Sequence, residues 1–239
     1  RVEGSTTDQP WQGKRAPAPQ TGFPGLWETT FGRMRLVQDG DRIAGSYGGG
    51  THASIAGRLE GARYVFRYQE PKVAGEGWFE LDDDGQSFAG QWRPDGSSDW
   101  QDWDATRIAP LPGIVWLVVL EAHWQRSLAE RDFAFGFMLD ELFARVPRVA
   151  VRHRFFADED SLLNRCRELN YLAEPVVLVI TSHGEPEGVS VDGHIIDTSR
   201  IIGALGQAET LQLLHFSCCL IGQDAGKVLA DPPFPVSGY

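Results

Sequence analysis

Between residues 25 and 108, apolar side chains fall on every second position, and turn signals interrupt them at short intervals. The alternation is plain in Ile43, Gly45 and Tyr47, in Ile55, Gly57 and Leu59, in Tyr64, Phe66 and Tyr68, and in Phe88, Gly90 and Trp92. Successive side chains on a strand point to opposite faces, so this spacing buries one face and wets the other. Eight segments follow the pattern: Leu26–Thr30, Arg33–Gln38, Arg42–Tyr47, Ser54–Leu59, Arg63–Tyr68, Gly77–Leu81, Ser87–Arg93 and Trp100–Arg107. Asp39-Gly40, Gly48-Gly49-Gly50, Glu60-Gly61, Asp84-Gly85 and Asp95-Gly96 separate them. Asp-Gly between alternating runs turns a hairpin, because glycine takes positive φ at little cost. Eight hairpin-linked strands in so short a span predict a small all-β up-and-down barrel, closed so that no edge is left open. Trp27, Trp78, Trp92, Trp100 and Trp103 read as packing of that barrel rather than as a ligand cage.

The texture changes at Pro110–Gly113. Ile114–Leu120, Val176–Ile180 and Leu211–Cys219 are apolar β-rich runs, as expected of strands buried on both faces. Leu128–Val146 carries Phe133, Phe137, Leu142 and Val146 at helical spacing, widened by Met138, Leu139 and Phe143, and Pro147 stops it. Val149–Phe156 reads as a strand, Ser161–Leu169 as a helix with Leu162, Leu163, Cys166 and Leu169 on one face, and Thr198–Leu205 as a helix capped by Asp197 or Thr198. Val189–Ile196 reads as a hairpin turned at Asp192-Gly193, Gln223–Leu229 as the start of a helix, and Pro235–Tyr239 as an incoming strand. Strands alternating with helices predict an α/β unit, a mostly parallel sheet flanked by helices. The expected organisation is a linker or tail at 1–24, the barrel at 25–108 and the α/β unit at 109–239, the last read as the N-terminal part of a larger sheet.

The chain carries 22 basic and 33 acidic residues, a formal net charge of −11. An acidic surface repels nucleic acid and anionic membrane, so neither is expected as a partner. No apolar run approaches the roughly 20 residues of a spanning helix. Three cysteines, two of them adjacent, do not make a disulfide framework and suit a reducing compartment, so a cytoplasmic location is expected.

Two of the buried strands run into reactive residues. Val176–Ile180 continues into Thr181-Ser182-His183-Gly184, and Leu211–Phe216 into Ser217-Cys218-Cys219-Leu220-Ile221-Gly222. In open α/β sheets ligands bind beyond the carboxyl ends of the strands. Neighbouring parallel strands would set a histidine and a cysteine on one edge, an arrangement suited to thiol nucleophilic catalysis. Adjacent residues of a strand face opposite ways, so only one cysteine can face the histidine.

A buried strand ending in Ser182-His183-Gly184, a small hairpin, a helix, and a strand ending in Ser217-Cys218-Cys219-Leu220-Ile221-Gly222 resembles the caspase-like (clan CD) cysteine peptidases. The likeness is to the prokaryotic caspase-like and CHAT-type members, over about Leu111–Tyr239. It implies a cysteine-type endopeptidase acting on protein or peptide substrates without a cofactor. Cys219, set by the Cys-x-x-Gly spacing, would be the nucleophile and His183 the general base. The backbone N–H groups of Gly184 and Cys219 would hold the oxyanion, and Cys218 would be a small buried residue. The eukaryotic Gln-Ala-Cys-Arg-Gly signature is absent, and Ser217 stands in the pocket position where Gln or Asp is common, so the resemblance assigns no P1 preference. Ser217 and His123 are the substrate-pocket candidates. Gly25-Leu26-Trp27 with Ala44-Gly45-Ser46-Tyr47 resembles avidin-type barrels, and a regulatory partner at the barrel fits such a module.

Blander readings stand beside these. His194 reads as an exposed hairpin residue, His215 as a satisfied core residue, and Cys166 as core. Glu185, Glu187, Asp192 and Asp197 read as solvated turns, or as a preference for a basic peptide or a weak cation site. There is no Cys-x-x-Cys pair and no His-Glu-x-x-His, so no zinc site is expected. The rival to the enzyme reading is a binding protein, in which the barrel takes a ligand or partner and the α/β half is scaffold.

Overall fold

The structure is a computed structural model, and it describes residues 22–48, 53–123, 129, 133–206, 208–219, 221 and 234–238. The alternating half folds as expected into a closed antiparallel barrel. Its strands are β1 (Gly25–Thr29), β2 (Gly32–Asp39), β3 (Arg42–Tyr47), β4 (Ala53–Glu60), β5 (Arg63–Gln69), β6 (Ala74–Leu81) and β7 (Ser87–Pro94), with the eighth split into β8 (Gln101–Asp102) and β9 (Ala105–Arg107). Each strand pairs with the next, and β9 pairs with both β7 and β1, which closes the ring. The split does not break the register. Gln91↔Asp102 and Ser87↔Thr106 lie on one ladder, and between them Trp103 N–H still donates to Gly90 O at 2.9 Å.

The inward positions are the apolar ones of the alternation, with Trp27, Met34, Tyr64, Phe79 and Trp103 among the fully buried side chains. Rings this large fit because neighbouring strands carry glycine. A Cβ at Gly90 would collide with the Trp78 carbonyl oxygen and come within 2.7 Å of the Phe79 ring. One barrel end is plugged from inside the stretch read as a tail. Phe23 is buried there, accepts a hydrogen bond from Trp27 Nε1 at 2.8 Å, and lies 5.5 Å from the Tyr64 ring. Arg107 clamps the same segment by donating to the carbonyls of Pro24 and Gly22, with its guanidinium 4.1 Å over Trp27.

The second half is an α/β unit. Its elements are β10 (Val115–Ala122), α1 (Phe135–Phe143), β11 (Val149–Phe156), α2 (Glu159–Glu168) with a 3-10 turn at Leu169–Tyr171, β12 (Val176–Thr181), β13 (His183–Glu185), β14 (Gly188–Val191), β15 (His194–Asp197), α3 (Thr198–Leu205), β16 (Leu211–Ser217) and β17 (Val236–Gly238). The sheet order is β11-β10-β12-β16-β17, and every pairing in it is parallel. Helices α2 and α3 cover one face over Val118, Leu120, Leu178, Ile180 and Leu214, while α1 covers the other over Leu117, Val119 and Val179. Each fully buried side chain of this kind contributes about 2 kcal/mol of transfer free energy.

Several local expectations change. The helix expected over Leu128–Val146 is Phe135–Phe143 within the described residues, and its stripe is a different one. Phe135, Leu139 and Phe143 pack inward, whereas Phe133, Phe137, Leu142 and Val146 are exposed. The segment is apolar nearly all round, so spacing did not single out the inner face. The strand expected to reach Cys219 ends at Ser217. The stretch after His183 is not a simple loop: His183–Glu185 pairs antiparallel with β14 and makes the expected hairpin three-stranded. Asp192 and Gly193 both take positive φ, as the expected tight turn requires. The helix expected at Gln223–Leu229, together with Leu220 and Gly222, lies outside the described residues.

Carboxylates hold the helix starts. Asp158 caps α2 in a reciprocal box with Ser161, and Asp197 accepts from Ser199 N–H at 2.7 Å to cap α3. Those hydrogen bonds hold both carboxyls below their ordinary range. Burial works against ionising Glu174, but hydrogen bonds from Leu111 N–H and Trp116 Nε1–H win and hold it low as well. The two units meet through arginine. Arg33 donates to Tyr171 O at 2.8 Å, and Arg35 donates to Asn170 O and, at 3.2 Å, to Leu172 O. These carbonyls are the negative end of the helical segment that closes with Tyr171.

Two measurements check this account. Gly90→Ala is expected to destabilise the protein by about 2 kcal/mol through overpacking and to lower its melting midpoint by about 5 °C; an unchanged midpoint in a circular-dichroism melt would contradict the close approach. Depressed carboxyls confer stability that is complete above the ordinary carboxylate range and lost as pH falls from that range through their lowered folded values. The melting midpoint is therefore expected to decline from about pH 5 to pH 3, less steeply in the Asp158→Asn, Asp197→Asn double variant.

Candidate functional site

Strands β12 and β16 are parallel neighbours whose ladder ends at Thr181↔Ser217. The offset there is 217 − 181 = 36, and the spacing of the candidate pair is also 219 − 183 = 36. His183 and Cys219 thus each lie two residues beyond the last paired row, at the carboxyl edge. Alternation sorts the residues on the way out. Ile180 and Phe216 point into the α2/α3 core, and Ser182 and Cys218 follow them to that side, 3% and 2% exposed. His183 and Cys219 are exposed.

The inward pair is locked. Cys218 Sγ lies 3.4 Å from Ile180 O, and Ser182 Oγ donates to Ser190 O at 2.7 Å, which ties β14 to the end of β12. Burial pushes the Cys218 thiol up to about 12, and burial does the same to Cys166 on α2. Both therefore stay protonated at neutral pH. Cys219 is the one exposed thiol of the three.

Gly184 is where β13 passes the end of β16. A Cβ on it would collide with the Cys219 carbonyl oxygen and crowd Cys218 Cβ at 2.9 Å. Only a residue without a side chain permits that approach. The backbones of Gly184 and Cys219, the two expected oxyanion donors, are thereby brought together, with His183 one residue from the contact. The glycine's observed use is to seat β13 against the Cys218–Cys219 backbone.

The pocket candidates divide. Ser217 is half-buried in the last paired row beside Thr181. His123 is exposed, and its ring stacks on Phe155 at 4.3 Å and 12°, so it packs toward β11, on the side of β10 away from β12. His194 is exposed, as expected. His215 is half-buried rather than in the core, with Nδ1 at 2.9 Å from Ser237 Oγ across β16 and β17. Of the acidic run after His183, Glu185 and Glu187 are exposed, whereas Asp197 is committed to its helix cap. Among the described residues no three His, Cys, Asp or Glu side chains gather as a metal site.

Glu121 was missed by sequence reasoning. It is fully buried in the row Glu121↔Thr181↔Ser217, the last paired row and two residues before the candidate pair. Its carboxylate accepts from the N–H groups of Phe135 at 2.7 Å and Gly136 at 2.9 Å, and so caps α1 from the sheet. His153 Nε2 is 2.8 Å away, an ion-pair distance at which the ring N–H is not aligned for a hydrogen bond. The available signal was a single acid closing an otherwise apolar strand.

A second cluster lies at the barrel end opposite Phe23. Phe31, Tyr47, Tyr68, Trp92 and Trp103 surround a cavity of about 20 Å³, and Tyr47 donates to Glu70 at 2.8 Å. Tyr68 Oη, Trp92 Nε1 and Trp103 Nε1 are buried there without a hydrogen-bond partner among the described residues. Compared with protein-family models and with curated proteins, the chain gives no match.

The burial pattern has a direct chemical consequence. In native protein a disulfide reagent at pH 8 is expected to titrate a single thiol, with the other two reacting only after denaturation. Cys219→Ser should remove the fast-reacting thiol, and a fast thiol surviving in that variant would contradict the assignment of Cys218 to the interior.

Proposed function

We propose that the chain is a cysteine-type endopeptidase acting on protein substrates. The observation that carries this is the seating of Gly184 against Cys218 and Cys219 at the carboxyl edge of two adjacent parallel strands, with Cys219 exposed and Cys218 buried. The resemblance of Ser182-His183-Gly184 and Ser217-Cys218-Cys219 to the caspase-like peptidases supports the same assignment. Cys219 Sγ attacks the scissile carbonyl while its proton passes to His183. The N–H groups of Gly184 and Cys219 stabilise the oxyanion. Collapse of the intermediate breaks the C–N bond, and His183 returns the proton to the leaving amine. Water then attacks the thioester, His183 takes its proton, and the acid product leaves with the Cys219 thiol restored. By the same resemblance the protein is a regulated prokaryotic effector working in a reducing cytoplasm, with the barrel as its recognition or regulatory part.

The barrel mouth favours a second reading, in which the protein is a binder. Three buried polar atoms and the Glu70 carboxylate around one cavity supply donors and an acceptor for a small polar group.

One experiment separates the two. A panel of peptidyl acyloxymethyl ketones varied at P1 is expected to label wild-type protein and Cys218→Ala at Cys219, mapped by mass spectrometry. Cys219→Ala should take no label. His183→Ala should label roughly 10²- to 10⁴-fold more slowly. Equal, slow labelling of wild type and His183→Ala across the panel would overturn the peptidase reading and favour the binder.

A further inference from the structure

On the sheet face away from the exposed Cys219, β11 and α2 leave a slot between them of about 200 Å³. Its floor is apolar, made by Trp116, Val118 and Leu120 of β10 with Leu169 beyond the end of α2. Its rim is cationic, made by Arg152 and Arg154 of β11 and Arg165 of α2. The one acid lining it is Glu168, which pairs with Arg165 at 2.9 Å. Arg152 and Arg154 form no ion pair among the described residues; each donates only to the carbonyl of the residue before it. In a chain of net charge −11, two arginines without carboxylate partners beside a third are a local reversal of sign.

Charged side chains on an exposed edge strand often serve only to prevent pairing with another strand. That explanation asks the charges to stand off the edge. Here Arg152 folds back over the sheet, its guanidinium 4.3 Å from the centre of the Trp116 ring. Trp116 is itself fixed from its other side, donating Nε1–H to Glu174 at 2.9 Å. A stacked guanidinium keeps its N–H edge free to grip an anion, and its fork matches a carboxylate or phosphate. The volume lies below the usual range of roughly 300–1,000 Å³ for ligand pockets, so the occupant is a single ring or a short branched chain.

We infer that this slot binds a small anion with an apolar body, its carboxylate or phosphate head held by Arg152, Arg154 and Arg165 and its body laid on Trp116 and Leu172. The site is independent of Cys219 and stands whether or not the chain is a peptidase.

The test is calorimetric titration of the full chain with four probes: 3-phenylpropionate, phenyl phosphate, the neutral 3-phenylpropanol and inorganic phosphate. At least one aryl anion is expected to bind, and both the neutral alcohol and inorganic phosphate should bind at least tenfold more weakly. The stronger of the two aryl anions identifies the head group. The Arg152→Ala, Arg154→Ala variant should lose at least tenfold, with Arg152→Lys, Arg154→Lys recovering part of it. Equal binding of the alcohol reduces the slot to a greasy crevice, and equal binding of inorganic phosphate reduces it to loose charge attraction; either overturns the inference. So does absence of binding by both aryl anions, or undiminished binding in an alanine variant whose melt matches wild type.

Discussion

The parallel pairing of β12 with β16 is the constraint on which the candidate edge depends. Both strands bury one face in the α2/α3 core, through Leu178 and Ile180 of β12 and Leu214 and Phe216 of β16, and that fixes their register. A slip of one residue would turn Ile180 and Phe216 out of the α2/α3 core and drive Thr181 and Ser217 into it. Because the ladder holds the offset at 36, the two residues past its end inherit it, and alternation decides which of each pair faces out. The burial of Cys218 and the exposure of Cys219 are thus consequences of where Ile180 and Phe216 must go.

Two further devices hold that edge in shape. β13 doubles back and sits on the Cys218–Cys219 backbone through Gly184, while Ser182 ties the next strand to the end of β12. On the other sheet face the buried Glu121 carboxylate takes the N–H groups that begin α1. One end of α1 is thereby pinned to the last paired row, two residues before the candidate pair.

Much of this was legible in the sequence because period-two alternation is a local signal. Phe88, Gly90 and Trp92 announce a strand with no knowledge of its partners, and Asp-Gly marks each reversal. The edge strand Val149–Phe156, the buried strand Val176–Thr181 and the helix Thr198–Leu205 were readable for similar reasons. What escaped was information held between elements. Phe135 rather than Phe133 faces the sheet because of where α1 begins, and its cap comes from Glu121, fourteen residues earlier in the chain. His123 turns toward Phe155 because β11, not β12, carries the aromatic surface beside it. The β13 strand is invisible in composition: His183-Gly184-Glu185 has no β-forming side chain, and its pairing comes from the reversal at Pro186-Glu187 that sets Glu185 opposite Gly188 on β14.

Arg33 and Arg35 of the barrel reach the carbonyls at the end of the helical segment in the α/β unit, and Tyr171 returns the contact to Ser46. The barrel and the sheet keep separate apolar interiors. A joint of this kind behaves as a bolt and not a weld. Undoing it would wet a few guanidinium and peptide groups that water solvates readily, while neither interior is opened. Such a seam leaves each interior intact when it parts, and a load applied to the barrel reaches the α/β unit through a few polar anchors, the carbonyls that close the helical segment after α2 and the Glu209 carboxylate ahead of β16.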